Sequence, residues 1–210
     1  MSSPRPPRTV LLVRHGETEW SAQRRHTGRT DLPLTEAGEV EALNAGGMLL
    51  QLLGIDEPTK VYVSPRQRAQ RTAQLALDPE AGRPHVTDLI AEFDYGDFEG
   101  RTSAAIAEAH PGWDLWKDGC PNGESPAEVI RRADAFVQLA TEEAPAGIVV
   151  AFTHGHMSRI LTARFLGLGV ELATVLHNET ASIAEIRSRD GKLALTGWNV
   201  RAHGSAVRHT

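Results

Sequence analysis

The chain has one cysteine, Cys120, in 210 residues. A lone thiol cannot build an internal disulfide framework, so the fold must rest on a packed core. No apolar run comes near the roughly 20 residues that cross a bilayer. Residues 1–8 are rich in Ser, Pro and Arg, and no separate apolar segment with a cleavage site follows. No secretory leader is therefore expected, and the cytoplasm is the expected compartment. A cationic excess is missing too: 22 Lys and Arg stand against 27 Asp and Glu, a formal net charge of −5. Neither nucleic acid nor an anionic membrane surface is an expected partner. The chain shows no internal repeat, low-complexity block or domain boundary.

Hydrophobic residues make up 40% and charged residues 23%, which suits a globular protein with one sizeable core. Residues 10–13 form a continuous apolar run that reads as a buried strand, ending abruptly in Arg14-His15-Gly16. Residues 147–152 form a second such run, ending in Thr153-His154-Gly155. Residues 60–63, 85–87, 180–187 and 192–196 read as further strands, the last two joined by a hairpin turn at Asp190-Gly191. Residues 19–34 read as a polar loop whose Arg24, Arg25 and Arg29 stand out in an acidic chain.

Thr35 is placed to cap a helix with Val40, Leu43, Gly47 and Leu50 as its inner stripe and Gly54 as its stop. Ser64-Pro65 reads as the N-cap and first residue of a helix over 66–77. Its first two turns carry Arg66, Arg68 and Arg71. Cations there oppose the helix dipole, so at least one should serve another purpose. A short helix over 102–110 and an irregular aromatic segment follow, with 101–124 expected as a lid over a pocket. Ser125-Pro126-Ala127-Glu128 is a capping box opening a helix to about 143, and another spans 156–166. Strands alternating with helices predict a single α/β domain with a mostly parallel central sheet and helices on both faces. Residues 1–8 and 201–210 are expected as tails.

Open α/β sheets bind ligands at the C-terminal ends of their strands. If the two apolar strands are neighbours, His15 and His154 project into one crevice, joined by Arg14 and Arg68. Two guanidinium forks and an imidazole around a neutral His15 suit the oxygens of a transferring phosphoryl group. The leaving alkoxide needs a proton, and Glu92, after a short apolar run, is the best-placed acid.

These residues resemble the histidine phosphatase superfamily, also called phosphoglycerate mutase-like, over roughly 8–200. The resemblance is carried by Leu12-Val13-Arg14-His15-Gly16-Glu17-Thr18, by Ser64-Pro65-Arg66-Gln67-Arg68-Ala69-Gln70-Arg71-Thr72, by 92–100 and by Phe152-Thr153-His154-Gly155-His156. It implies that His15 is phosphorylated, that Arg14, Arg68 and His154 bind the phosphoryl group, and that Glu92 donates the proton. Arg68 rather than Arg66 takes the family's position, because it directly precedes the Ala-x-x-Thr step.

Segments 19–21, 26–35, 94–100, 116–120 and 154–156 are most similar to a phosphatase branch with broad acid phosphatases and sedoheptulose-1,7-bisphosphatase. Substrate-binding positions are then expected at Arg14, Ser21, Thr27, Gly28, Arg68, His154, Gly155 and His156. The implied activity is hydrolysis of small phosphomonoesters, sugar phosphates or bisphosphates among them. A cofactor-dependent phosphoglycerate mutase is the alternative, although mutases usually carry Asn where this chain has Ser21. A phosphorylated small molecule is the expected partner, with self-association left open.

No cofactor or metal is expected, since no Asp or Glu lies near His154 and His156 in sequence to complete a ligand set. Arg66 and Arg71 read as surface charges, Trp113 and Trp116 as packing, Cys120 as inert, and Glu17 as a structural partner for a nearby arginine.

Overall fold

The computed structural model describes residues 5–53, 59–78 and 83–202. In chain order these form β1 (Thr9–Arg14), α1 (Glu19–Ala22), α2 (Glu36–Leu52), β2 (Thr59–Val63), α3 (Gln67–Ala76) and β3 (His85–Val86). Then come α4 (Ser103–Ala109), α5 (Leu115–Asp118), α6 (Pro126–Glu143), β4 (Ile148–Thr153) and α7 (Gly155–Phe165). The chain ends with α8 (Leu172–Val175), β5 (Ile183–Arg189) and β6 (Lys192–Val200).

One six-stranded sheet runs β3-β2-β4-β1-β5-β6. β3, β2, β4 and β1 are mutually parallel, and β5 and β6 return antiparallel. The two apolar runs are the central neighbours, β1 and β4, because strands covered on both faces need apolar side chains on both. Alternate residues of β1 face opposite layers. Leu11 and Val13 pack with Ala45, Leu49, Ala69 and Ala73 of α2 and α3. Val10 and Leu12 pack with Val129, Phe136 and Ile160 of α6 and α7. The mostly parallel sheet with helices on both faces is thus as expected. Asp190 and Gly191 at the β5–β6 turn both have positive φ, as a two-residue hairpin turn requires.

Several local expectations are corrected. The polar stretch after β1 begins with the short helix α1, capped by Thr18, whose hydroxyl accepts from the Ser21 N–H. The stripe chosen for α2 faces outward: Val40, Leu43 and Leu50 are exposed, and Gly38, Ala42, Ala45, Gly46 and Leu49 are buried. Close backbone approach decides this. A Cβ on Gly38 would lie 2.1 Å from the Glu17 carbonyl oxygen, and one on Gly46 would lie 2.6 Å from that of Ala76. The helix therefore turns its small residues inward, where larger ones would hold it off. Gly54, expected as its stop, lies outside the described residues.

The expected tails are partly tied down. Arg8 donates its N–H to Gly147 and accepts from Ser188, and Arg201 pairs with Glu41 at 3.1 Å. Residues 1–4 and 203–210 lie outside the described part. Among the described residues no helix is long and apolar enough to cross a membrane.

The orientation of α2 is testable by urea unfolding. Leu49→Ala should lose about 2–5 kcal/mol, since it empties a packed core position. Leu50→Ala, one residue on, should stay within about 0.5 kcal/mol of the parent.

Candidate active site

The pairing of β1 with β4 sets Val13 opposite Phe152 and Arg14 opposite Thr153. The strands therefore end level, and the residues that follow, His15 and His154, stand side by side. Their ring centroids are 5.2 Å apart, and both side chains are buried. His15 Nδ1 lies 2.7 Å from the Gly16 carbonyl oxygen. A carbonyl only accepts, so Nδ1 carries the proton and the Nε2 lone pair is free. Burial first, then the charges of Arg68 and Arg14, hold the His15 pKa well below its usual value, so the ring stays neutral. Burial does the same to His154, helped by Arg68.

His154 Nε2 is hydrogen-bonded to Ser64 Oγ at 2.7 Å, while its Nδ1 is buried with no partner. Ser64 was expected to cap α3. The N-cap is instead Arg66, without a side-chain cap bond, and Ser64 serves the histidine. The same strand-end logic could have found it, since β2 is in register with β4 at Val63 and Phe152.

Arg14 donates Nη1 to the Asn178 carbonyl at 2.7 Å, and its Nε has no partner. Arg68 is fully buried. Its Nη1 donates to the Thr30 carbonyl at 2.9 Å, and its Nη2 to those of Thr27 and Gly28 at 2.9 and 3.1 Å. The Arg68 Nε is likewise unpartnered. The loop supplying these carbonyls is held from behind by Glu99, which accepts from the Gly28 and Thr30 N–H groups. Thr27 and Gly28 thus meet Arg68 through their backbone. Ser21 donates its hydroxyl to the Thr18 carbonyl, so that proton is taken up in the α1 cap. Glu17 accepts from the Thr35 hydroxyl at 2.8 Å rather than from an arginine.

Glu92 sits over the N-terminus of α7. Its carboxylate accepts from the N–H groups of Phe93, His156 and Met157 at 2.9–3.0 Å. A Cβ on Gly155 would be 3.4 Å from Arg14 Nε and 3.7 Å from Glu92 Oε2, so this glycine lies between the two. Sequence reasoning missed the clasp that holds the Glu92 segment. Arg132 of α6 donates to the carbonyls of Asp88, Leu89, Ala91 and Glu92, and bidentately to Glu124. No local motif marks it, because its partners lie 8 and about 40 residues away.

His156 is bonded through Nδ1 to the Tyr95 hydroxyl at 2.5 Å, stacks with His26 and meets the edge of Trp116. Trp113 and Trp116 pack against the core, and Trp113 Nε1 donates to the Gly119 carbonyl. Cys120 is buried in the same layer, and burial pushes its thiol up to about 12. Of the loop arginines, Arg29 pairs with Asp94 at 2.9 Å and Arg25 reaches the Gly100 carbonyl. Arg71 pairs with Glu39 at the surface. Among the described residues no group of three or more His, Cys, Asp and Glu is arranged to hold a metal ion.

These histidines make stability pH-dependent. Burial holds His15, His154 and His156 well below 6.5 and brings His26 to about 4. In the unfolded chain each titrates near 6.5. Below that pH the unfolded state takes up protons that the folded state refuses, so stability falls with pH. Each histidine contributes a limiting slope of about 1.4 kcal/mol per pH unit. Urea midpoints for the ligand-free protein should be flat from pH 8 to 7 and fall between 6.5 and 5, ahead of carboxylate titration.

The comparisons with known proteins agree with this geometry. The family model described as histidine phosphatase superfamily (branch 1) matches residues 10–201. An acid phosphatase of Mycobacterium tuberculosis is 44% identical over 198 residues, covering 94% of this chain and 95% of the relative. A sedoheptulose 1,7-bisphosphatase of Saccharomyces cerevisiae is 37% identical over 77% of this chain and 68% of its own length. Bacterial proteins named probable phosphoglycerate mutase also match, at 30–31% identity. A solved structure of an open reading frame product from Mycobacterium tuberculosis superposes with a TM-score of 0.86 at 39% identity. It covers 93% of this chain and 98% of that one. With β1 and β4 ending in paired histidines and nearly the whole chain matched by the family model, this protein belongs to the histidine phosphatase superfamily.

Proposed function

We propose that the protein hydrolyses small phosphomonoesters, sugar phosphates or bisphosphates among them, through a phosphohistidine on His15 in the cytoplasm. The observation that carries this is a set of three buried nitrogens without partners beside a neutral histidine: Arg14 Nε, Arg68 Nε and His154 Nδ1. A buried donor left unpaired costs about 1–3 kcal/mol, and more when it is charged. A tetrahedral anion with three non-bridging oxygens would satisfy all three.

In the first step His15 Nε2 attacks phosphorus, and the bond to the leaving oxygen breaks. Glu92, in its acid form, gives that oxygen a proton and leaves as carboxylate. In the second step water attacks the phosphohistidine and yields its proton to Glu92, releasing phosphate and neutral His15. Arg14 and Arg68 stabilise the charge on the equatorial oxygens throughout. The Ser64 hydroxyl, donating to His154 Nε2, keeps the proton on Nδ1, so His154 also acts as a donor. Gly155 leaves room between Arg14 and Glu92, and His156 lines the pocket beside the acid. The segment 101–124 forms a wall or lid over the pocket.

The phosphatase names of the two more similar relatives support hydrolysis over mutase activity. So does the state of the wall. A mutase must retain a strongly anionic intermediate away from water, but Lys117 is paired with Asp114 and Arg101 donates to the Ala105 carbonyl.

His15→Ala should remove the acid-labile phosphoenzyme seen after a quench with labelled substrate, and lower turnover by at least about 10³-fold. Glu92→Gln should lower hydrolysis of alkyl phosphates by about 10²–10⁴-fold and of p-nitrophenyl phosphate much less, since a good leaving group needs less protonation. When 3-phosphoglycerate is supplied with a trace of the 2,3-bisphosphate, 2-phosphoglycerate should form more slowly than phosphate is released from the preferred ester. The reverse order would make the protein a mutase.

A further inference from the structure

A fourth buried side-chain nitrogen without a partner joins the three described above: Nε of Arg66. Sequence pattern marks this residue as a surface charge; the structure leaves it half-buried, with its Nε covered. Arg66 is the N-cap of α3, and its backbone N–H donates to Ser64 Oγ, the atom that also holds His154. It therefore stands two residues from a group that touches the phosphate site, and next but one to Arg68.

Among the described residues Arg66 has no ion pair and no side-chain hydrogen bond. The neighbouring carboxylate does not serve it. Asp31 accepts from the Gln67 N–H at 2.8 Å and lies 3.9 Å from Arg68. In a chain with five more acids than bases, a half-buried guanidinium without a counter-ion needs a reason. Its position adds to the difficulty, since a cation at a helix N-terminus opposes the helix dipole and no side-chain cap compensates.

Arg66 is not needed for the transferring phosphoryl group. That group's three non-bridging oxygens are already matched by Arg14, Arg68 and His154. The positive field on His15 comes from Arg68 and Arg14, while that on His154 includes Arg66. Arg66 is tied to the His154 side through Ser64 Oγ, which meets both its backbone N–H and His154 Nε2. Its terminal Nη atoms are not among the buried unpartnered ones, so solvent reaches them while Nε is covered.

We propose that Arg66 is a specificity-determining residue whose guanidinium binds a second acidic group of the substrate, a phosphoryl or carboxylate group outside the scissile ester. This rests on the phosphatase reading above and deepens it. The preferred substrates are small phosphate esters that carry a further negative charge.

The test compares matched substrates: fructose 1,6-bisphosphate against fructose 6-phosphate, and 3-phosphoglycerate against glycerol 3-phosphate. The first pair probes a second phosphoryl group and the second a carboxylate. The parent enzyme should favour the more anionic member of at least one pair in kcat/KM. Arg66→Gln should reduce that preference by about tenfold or more, mainly through KM, and Arg66→Lys should restore part of it. Raising ionic strength should erode the parent's preference in the same direction.

Equal losses on both members of each pair would overturn the proposal, as would a preference untouched by Arg66→Gln. If Arg66→Gln does not fold, the parent decides: no preference for the more anionic ester in either pair sinks the idea. Failure of the underlying phosphatase reading looks different, because the parent would then form no phosphohistidine with any ester.

Discussion

A fully buried guanidinium, that of Arg68, is the constraint to which the site is fitted. A charge withdrawn from water must find polar partners or be expelled. Here three backbone carbonyls from the loop at 27–30 take most of its donors. Carbonyls orient the fork but do not neutralise it, and Nε is left for something negative. The loop can curl its carbonyls inward because Glu99 collects the N–H groups on its other side. Arg68 and Glu99 thus hold this stretch from its two sides, and in return the stretch orients the cation.

The acidic side of the site is built by the opposite device. The Glu92 carboxylate is held by three N–H groups, two of them from the first turns of α7. The segment that carries it is clasped from below by Arg132, anchored in turn on Glu124. Cation and carboxylate are each held chiefly by backbone dipoles rather than by one another. That separation matters, because a direct Arg68–Glu92 ion pair would satisfy both groups and leave nothing for a phosphate. The hydrogen bonds of the site leave Arg14 Nε, Arg68 Nε and His154 Nδ1 buried without partners.

Much of this was legible in one dimension. Buried parallel strands read as unbroken apolar runs, so β1 and β4 announce themselves, and the abrupt change to Arg-His-Gly and Thr-His-Gly marks their C-terminal ends, where open α/β sheets bind ligands. Capping chemistry is equally local, and Ser125 with Glu128 forms the expected box. The errors share one cause. Residue hydrophobicity points the α2 stripe one way, whereas the helix takes its inner face from how closely its backbone approaches Glu17 and Ala76. Local pattern points Ser64 at the nearest helix, whereas a histidine 90 residues away takes its hydroxyl. The backbone carbonyls of Thr27 and Gly28 hold Arg68, a partnership that no side-chain pattern encodes.

By itself, then, the sequence determined most of the elements, the two strands at the centre and the residues that stand at their ends. Those follow from period, composition and capping, which act over a few residues. Tertiary structure alone decided register, tautomer and partnership. The level ends of β1 and β4 come from ladder pairing across 139 positions of chain, from Arg14 to Thr153. The protonated Nδ1 of His15 comes from a carbonyl that turns toward it only at the folded corner. Whether an arginine is a surface charge or a waiting donor depended on which carboxylates the fold brought within reach. Asp94 reached Arg29 and Glu39 reached Arg71, while Arg14, Arg66 and Arg68 each kept a buried Nε unpaired. Buried polar groups are satisfied only by what folding brings near, and that is a property of the whole chain.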